Sequence, residues 1–186
     1  MKSVMSPKRS WPTPGAVMPE ASMQYDEIII VDYDVGNAAS VLNMFSYLGY
    51  PARLSAAPAD VSRAARIILP GVGSFDAAMN NLRASRLDAA IVAAAASGAY
   101  VFGVCLGMQL LGRASEEGVT EGLGLIDGVS RRIMPTSPTI KVPNMGWRMA
   151  DPCRAHWAAI ADARYYFANS YHFCCDHDAD IVATVD

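Results

Sequence analysis

The sequence has no long apolar run and no large excess of charge of either sign. Its most apolar stretch, Leu87–Leu106, is interrupted by Asp88, Ser97 and Gly98, whereas a membrane-spanning helix needs about 20 apolar residues in a row. The 15 Lys and Arg residues face 18 Asp and Glu residues, and the formal net charge is −3. This balance indicates no basic surface for nucleic acid or for an anionic membrane. We therefore expect neither as a partner.

Cysteine is scarce, and its spacing is not that of a metal or redox motif. The four cysteines include no Cys-x-x-Cys pair, and the basic residues near the start are not followed by the apolar run of a secretory signal. We expect reduced thiols and a cytoplasmic protein. Hydrophobic residues make up 52% of the 186 residues, which is enough for one buried core and predicts one globular domain.

The first 24 residues differ in composition from the rest of the chain. They contain four prolines and no periodic apolar pattern. We expect a disordered tail over residues 1–24 and a single domain over residues 25–186.

Short apolar runs alternate with helical patterns from residue 28 onward. Ile28–Val31 is typical of a buried parallel strand, and the spacing of apolar residues in Ala38–Leu48 predicts an amphipathic helix. The same patterns predict strands at 52–54, 65–69 and 99–104 and helices at 75–83 and 87–96. The alternation indicates an α/β fold with a doubly wound, mostly parallel sheet flanked by helices. Strand-like runs at 130–133, 139–142, 165–167 and 181–185 predict a small antiparallel extension.

The segment Gly103-Val-Cys-Leu-Gly107 follows a predicted strand and precedes a helical pattern. Two glycines that flank a nucleophile in this register are typical of a sharp strand-to-helix turn, in which larger side chains would collide with the backbone. The N-terminus of the helix stabilises a thiolate, and the Leu106 N–H is placed to bind an oxyanion. The alternative is a buried cysteine that only packs in a glycine-rich turn.

A second glycine-rich turn, Pro70-Gly-Val-Gly73, ends the preceding predicted strand. Adjacent parallel strands end at the same sheet edge, so we expect this turn to approach Cys105 and to supply a further oxyanion donor. Position 76 is Asp, so the third glycine of a dinucleotide fingerprint is missing.

Taken together, these segments resemble the class I glutamine amidotransferases. The matching segments run in order from residue 27 to residue 186: VDYDVGN at 31–37, LPGVGSF at 69–75, GVCLGMQ at 103–109, GLGLI at 122–126, VPNMGW at 142–147 and YFANSY at 166–171. More narrowly, the chain resembles the glutaminase subunit of imidazole glycerol phosphate synthase. The resemblance implies the flavodoxin-like, three-layer architecture of that class.

The resemblance also implies roles for individual residues. Cys105 would be the catalytic nucleophile, and Val72, Gly73 and Leu106 would form the oxyanion hole. The remaining matched positions hold glutamine or face a partner: Gln109, Glu117, Ser170 and Tyr171 for the former, and Met145, Gly146 and Trp147 for the latter.

The implied activity is glutamine hydrolysis through a cysteine thioester. The ammonia would pass to a (β/α)8-barrel cyclase subunit in a heterodimer, which makes imidazole glycerol phosphate and an aminoimidazole carboxamide ribotide in histidine biosynthesis. No cofactor and no metal are expected.

In two places the chain departs from the family pattern. The family's histidine base and its glutamate partner belong to a segment beyond Asp186, so we expect the catalytic triad of this chain to be incomplete. None of His156, His172 and His177 matches the position of the base. Asn144 and Asn169 stand where the family commonly has histidine.

Three alternative functions remain open from the sequence. A paralogous amidotransferase for surface polysaccharide precursors would share nearly every motif, and a truncated scaffold would bind the barrel without hydrolysing glutamine. The segment His172-Phe-Cys-Cys-Asp-His177 could be a metal module, although adjacent cysteines chelate one ion poorly. If the segment binds no metal, we expect His172 and Cys174 to lie on one side of a strand and Cys175 on the other.

Overall fold

A computed structural model describes residues 27–35, 37–137, 141–153 and 163–185. The predicted tail at 1–24 lies outside these residues. The described helices are α1 Ala38–Tyr47, α2 Pro58–Val61, α3 Phe75–Ala84, α4 Leu87–Ala96 and α5 Leu106–Leu110. The described strands are β1 Ile28–Val31, β2 Ala52–Ser55, β3 Arg66–Leu69, β4 Tyr100–Gly103, β5 Ala114–Ser115, β6 Gly128–Arg132, β7 Asn144–Met149, β8 Asp151–Pro152, β9 Arg164–Asn169, β10 Tyr171–Cys175 and β11 Ala183–Thr184.

Four parallel strands form the central sheet in the order β2-β1-β3-β4. All four residues of β1 are buried, as are three of the four in β3, because these strands lie in the middle of the sheet. Continuous apolar runs are what a parallel sheet covered on both faces requires. The predicted parallel sheet is therefore confirmed.

Helices cover both faces of the sheet. One face packs against α2, α3, α4 and α5 around a core that includes Ile29, Ile67, Phe75, Leu82 and Ile91. The other face packs against α1 through Ile28, Ile30 and Ile68. This arrangement confirms the doubly wound, three-layer prediction.

The strand predicted at 99–104 is β4, but its burial differs from the expectation of a fully buried strand. Tyr100 is 46% exposed and Phe102 is 64% exposed. Both residues pair in register with β3 through Arg66 and Ile68. The expectation was wrong because β4 lies at the edge of the described sheet, and α1 covers the other end of that face.

The later part of the chain forms small sheets with antiparallel pairs, as predicted. β10 pairs antiparallel with β6, β11 with β8, and β7 with β9, while β5 pairs parallel with β6. Ile133 lies just outside β6, and Lys141 and Val142 are not in a strand. Residues 139 and 140 lie outside the described part. The strand β7, over the Asn-Met-Gly-Trp segment, and the short helix α2 were not predicted.

None of the helices in the described ranges is long and apolar enough to cross a membrane.

Candidate active site

Cys105 occupies a strained turn between β4 and α5. Its backbone φ is +56° and its ψ is −117°, a conformation that residues with a Cβ rarely adopt. The thiol is exposed at this turn. The sharp strand-to-helix turn predicted from the sequence is therefore present, and it presents the sulfur to solvent.

The two flanking glycines are required by close backbone packing. A Cβ on Gly107 would overlap the Leu69 carbonyl oxygen, and a Cβ on Gly103 would lie 2.5 Å from the Met108 nitrogen. Real Cβ atoms do not approach other atoms so closely. The glycines therefore let α5 start directly against the end of β3.

The Pro70–Gly73 turn lies against the Cys105 turn, as expected. The Val104 N–H donates to the Leu69 carbonyl at 3.0 Å. A Cβ on Gly71 would lie 2.6 Å from the Gly107 nitrogen, and Gly73 has a φ of +101°. Gly71 is therefore required by the close approach, and Gly73 by a conformation that only glycine adopts at little cost.

Three backbone donors in the two turns remain available to a ligand. Within the described ranges, the N–H groups of Val72, Gly73 and Leu106 have no protein acceptor. Leu106 is the first residue of α5, whose first N–H groups have no partner inside the helix. An oxyanion hole consists of such N–H groups.

A tyrosine that the sequence analysis did not single out holds the start of the Pro70–Gly73 turn. The Tyr33 hydroxyl donates to the Pro70 carbonyl at 2.6 Å, and the side chain is 3% exposed. Burial raises the pKa of this phenol well above its usual value. The hydroxyl therefore stays protonated and keeps donating.

Gln109 and Glu117 are joined through Ser115. The Ser115 hydroxyl donates to Gln109 Oε1 at 3.3 Å and accepts from the Glu117 N–H at 3.2 Å. Burial, and secondly the charge of Asp76, raise the pKa of the Glu117 carboxyl above its usual value. The structure thus brings two of the predicted glutamine-holding residues together, and it adds Ser115 and Asp76, which the sequence analysis missed.

Ser170 and Tyr171 lie at the junction of β9 and β10, beside the end of β6. The Ile133 N–H donates to the Ser170 carbonyl at 2.9 Å, and Tyr171 pairs with Arg132. The Arg132 N–H in turn donates to Glu116 Oε2 at 2.8 Å, next to Glu117 in the chain. These contacts link the second pair of predicted glutamine-holding residues to the first.

Met145, Gly146 and Trp147 lie on β7, which pairs only with β9 among the described strands. Met145 is 58% exposed and Trp147 is 59% exposed. The Trp147 ring packs edge-on against Tyr166 of β9, with centroids 5.6 Å apart. Met145 and Trp147 thus lie on an exposed surface, with half-buried Gly146 between them, outside the hydrogen-bonded network around Ser115.

Asn144 and Asn169, which stand where the family commonly has histidine, are direct partners in the β7–β9 register. The Asn169 amide nitrogen donates to the Tyr171 carbonyl at 2.9 Å. One cross-strand pair therefore contains both of these substitutions.

The segment with two histidines and two cysteines lies largely in β10, as the alternative without a metal predicts. Cys174 Sγ lies 3.8 Å from the ring nitrogens of His172 on one side of β10, and Cys175 is on the other side. His156 lies outside the described residues. No group of three or more His, Cys, Asp or Glu side chains in the described part of the chain is arranged to hold a metal ion.

Comparison with known proteins places this geometry in a family. Residues 44–133 match the model of the CobB/CobQ-like glutamine amidotransferase domain. The chain is 44% identical over 160 residues to imidazole glycerol phosphate synthase subunit HisH of Lactiplantibacillus plantarum, covering 84% of this chain and 76% of that protein. The chain belongs to the HisH family. It is 43% identical over 159 residues to subunit HisH 2 of Pseudomonas aeruginosa (83% and 78% coverage) and 40% identical over 149 residues to HisH of Microcystis aeruginosa (78% and 70%).

A solved structure supports the fold of this HisH family member. The chain superimposes on a crystal structure titled glutamine amidotransferase with a TM-score of 0.64 and 14% identity, over 83% of this chain and 78% of that one. The predicted resemblance and the assignment to a glutamine amidotransferase subunit of imidazole glycerol phosphate synthase are confirmed. The relatives named here do not favour the polysaccharide or scaffold alternatives.

Proposed function

We propose that Cys105 hydrolyses glutamine through a covalent thioester. The sulfur attacks the side-chain amide carbon, and the C–N bond breaks as the nitrogen takes up the proton that the thiol has lost and leaves as ammonia. Water then attacks the thioester, which releases glutamate and restores the thiol. The strained, exposed turn at Cys105 is the observation that carries this proposal, because it presents a nucleophile between two glycine-rich backbones.

The free backbone donors give the tetrahedral intermediate its stabilisation. Its oxyanion would accept hydrogen bonds from Leu106 N–H and from the Val72–Gly73 segment. The positive φ of Gly73 supports this role, since a glycine lets the peptide turn its N–H toward the sulfur.

The residues around Ser115 would hold the amino acid part of glutamine. The Glu117 carboxylate is suited to accept from the substrate ammonium, and Gln109, Ser170 and Tyr171 offer amide, hydroxyl and backbone groups. The hydrogen bonds through Ser115 support a single rigid arrangement of this pocket.

The ammonia would be used by a barrel-shaped cyclase subunit in a heterodimer. The exposed surface of Met145, Gly146 and Trp147 supports a docking site, because aromatic residues and methionine are enriched at protein interfaces. In that assembly, the products would be imidazole glycerol phosphate and an aminoimidazole carboxamide ribotide of histidine biosynthesis.

Affinity labelling of the chain tests the proposed nucleophile and pocket. A glutamine analogue in which a chloromethyl ketone replaces the amide forms a C–S bond with a thiol and displaces chloride. We expect labelling that saturates with analogue concentration, is slowed by free glutamine and maps by mass spectrometry to Cys105.

Three cysteines of the same chain serve as internal controls. Cys153, Cys174 and Cys175 are also free thiols, and Cys153 is exposed like Cys105. Cys105→Ser should abolish the saturable labelling, and Cys153→Ser should leave it unchanged. Labelling that rises linearly with concentration, or that spreads over all four thiols, contradicts the proposal.

A further inference from the structure

A carboxylate from α3 holds the loop that follows Glu117. Asp76 Oδ1 accepts from the Val119 N–H at 3.0 Å and from the Thr120 N–H at 2.9 Å, and Oδ2 accepts from Val119 at 3.2 Å. These bonds join residues 43 and 44 positions apart in the chain. They are charge-assisted and therefore stronger than bonds between neutral groups.

The fit between this loop and Asp76 is tight. A Cβ on Gly118 would overlap Asp76 Oδ1, so the loop reaches the carboxylate only because residue 118 is a glycine. The Glu117 N–H on the other side of Gly118 is bound to the Ser115 hydroxyl. Glu117 is thus fixed between two anchors, Ser115 before it and Asp76 after it.

Asp76 also lies close to the oxyanion segment along the chain. It is the second residue of α3, and the Ser74 side chain caps this helix by accepting from the Ala77 N–H. The same helix end therefore follows Val72 and Gly73 directly and binds the Glu117 loop. The first turn of α3 thus connects the Val72–Gly73 segment to the Glu117 loop.

We propose that Asp76 is a positioning residue that acts through Glu117. By holding the loop at residues 118–120, it fixes the position of the Glu117 carboxylate, and this position determines how tightly the amino acid part of glutamine binds. This inference rests on the proposed role of Glu117 in the glutamine pocket. The charge of Asp76 also contributes to the raised pKa of Glu117, as expected for two neighbouring carboxylates.

The chloromethyl ketone analogue of glutamine tests this proposal by separating binding from reaction. In the full chain, Asp76→Ala should raise the half-saturating analogue concentration about tenfold, equal to about 1.4 kcal/mol. The maximal labelling rate should stay within about twofold, because the Cys105 turn is untouched. The rate with iodoacetamide, which lacks the amino acid group, should be unchanged.

The chain offers a matched control for the helix position. Asp88 is the second residue of α4, as Asp76 is of α3, so both carboxylates interact favourably with a helix N-terminus. Asp88→Ala should leave the half-saturating concentration unchanged. An Asp76→Ala variant that behaves like Asp88→Ala overturns the proposal.

Asp76→Asn gives a measurement that a purely structural role would not change. Asparagine keeps one acceptor oxygen and removes the charge, so the pKa of Glu117 should fall. The loss of analogue binding at acid pH should therefore move to lower pH than in the native chain. An unchanged pH profile contradicts the proposal, and this result decides the matter if Asp76→Ala does not fold.

The outcomes separate this inference from the proposed function. If labelling of the native chain does not saturate, the glutamine pocket itself is wrong and the inference falls with it. If the native chain saturates and Asp76→Ala keeps its half-saturating concentration, only the role of Asp76 is overturned.

Discussion

At the scale of single residues, three glycines around Cys105 are determined by backbone contacts. Gly71, Gly103 and Gly107 each bring their Cα so close to another backbone that a Cβ would collide with it. The Cys105 turn is therefore a place where the backbones of β3, β4 and α5 pack together. This packing is possible only because the three glycines have no Cβ.

We predict that Gly107→Ala lowers the free energy of unfolding by about 3 kcal/mol, the upper range for overpacking. The added methyl overlaps the Leu69 carbonyl and must push α5 away from β3. Urea denaturation measures the change. Gly98→Ala is the control, because Gly98 has a φ of +94° and open space around it, so only backbone strain of about 1 kcal/mol is expected. Equal costs for the two variants would contradict the collision.

The free energy of unfolding should depend on pH partly through the ionisation of Glu117. Because its pKa is raised in the folded state, ionisation of this carboxyl opposes folding. Its contribution to the free energy of unfolding should fall as the pH rises from the ordinary glutamate pKa through the folded one. Glu117→Gln should remove this dependence and be more stable than the native chain at neutral pH. Urea denaturation over a pH series measures it, and parallel curves for the two proteins would count against the raised pKa.

At the scale of elements, the end of β1 controls the loop between β3 and α3. Tyr33 follows β1 and donates its hydroxyl to Pro70, and its own carbonyl accepts from the Asn81 side chain on α3 at 3.2 Å. One residue thus ties the first strand to the start of the connection that carries Val72 and Gly73 and to the helix that follows this connection.

We expect Tyr33→Phe to lower the free energy of unfolding by about 1–2 kcal/mol, because it leaves the Pro70 carbonyl without a donor. Saturable labelling of Cys105 should also slow, since the Val72–Gly73 segment loses its anchor. Chemical denaturation and the labelling assay measure both effects. Tyr47→Phe is the matched control, because Tyr47 is 91% exposed on α1. If both variants behave alike, the hydrogen bond to Pro70 has no role.

The sequence predicted Ile28–Val31, α1, α3 and α4 from their apolar patterns. Ile28–Val31 is fully buried, and α3 and α4 each bury four residues at helical spacing, whereas α1 buries only Ala38. The strand β7 was not predicted, although Met145, Trp147 and Met149 alternate along it, and these apolar side chains are exposed and lie outside the core. Asp76 was missed for another reason, since its partners lie more than 40 positions away and no local pattern indicates them.

At the scale of the whole molecule, a hydrogen-bonded network around Ser115 contrasts with an exposed apolar surface on β7 and β9. Gln109, Ser115 and Glu117 are joined by hydrogen bonds, whereas β7 and β9 expose Met145, Trp147, Met149 and Tyr166. Exposed apolar residues in one continuous patch mark sites of protein association. The family motif around Trp147 pointed to this surface, but the part played by Tyr166 required the strand register.

We predict that Trp147→Ala weakens binding of a cyclase subunit of imidazole glycerol phosphate synthase by about 30-fold, as for a residue that contributes about 2 kcal/mol to an interface. Calorimetric titration with the cyclase subunit of a relative measures the affinity. Tyr47→Ala removes an exposed aromatic residue from α1 and should have no effect. Equal affinities for the Trp147→Ala variant and the native chain would place the interface elsewhere.

The positive φ of Cys105 also means that the residue proposed to carry the reaction lowers the stability of the fold. Any residue with a Cβ is strained in this backbone conformation, whereas glycine is not, so Cys105→Gly should raise the free energy of unfolding by about 1 kcal/mol. The same change deletes the sulfur. If glutamine hydrolysis were not required, replacing this cysteine by glycine would therefore make the fold more stable.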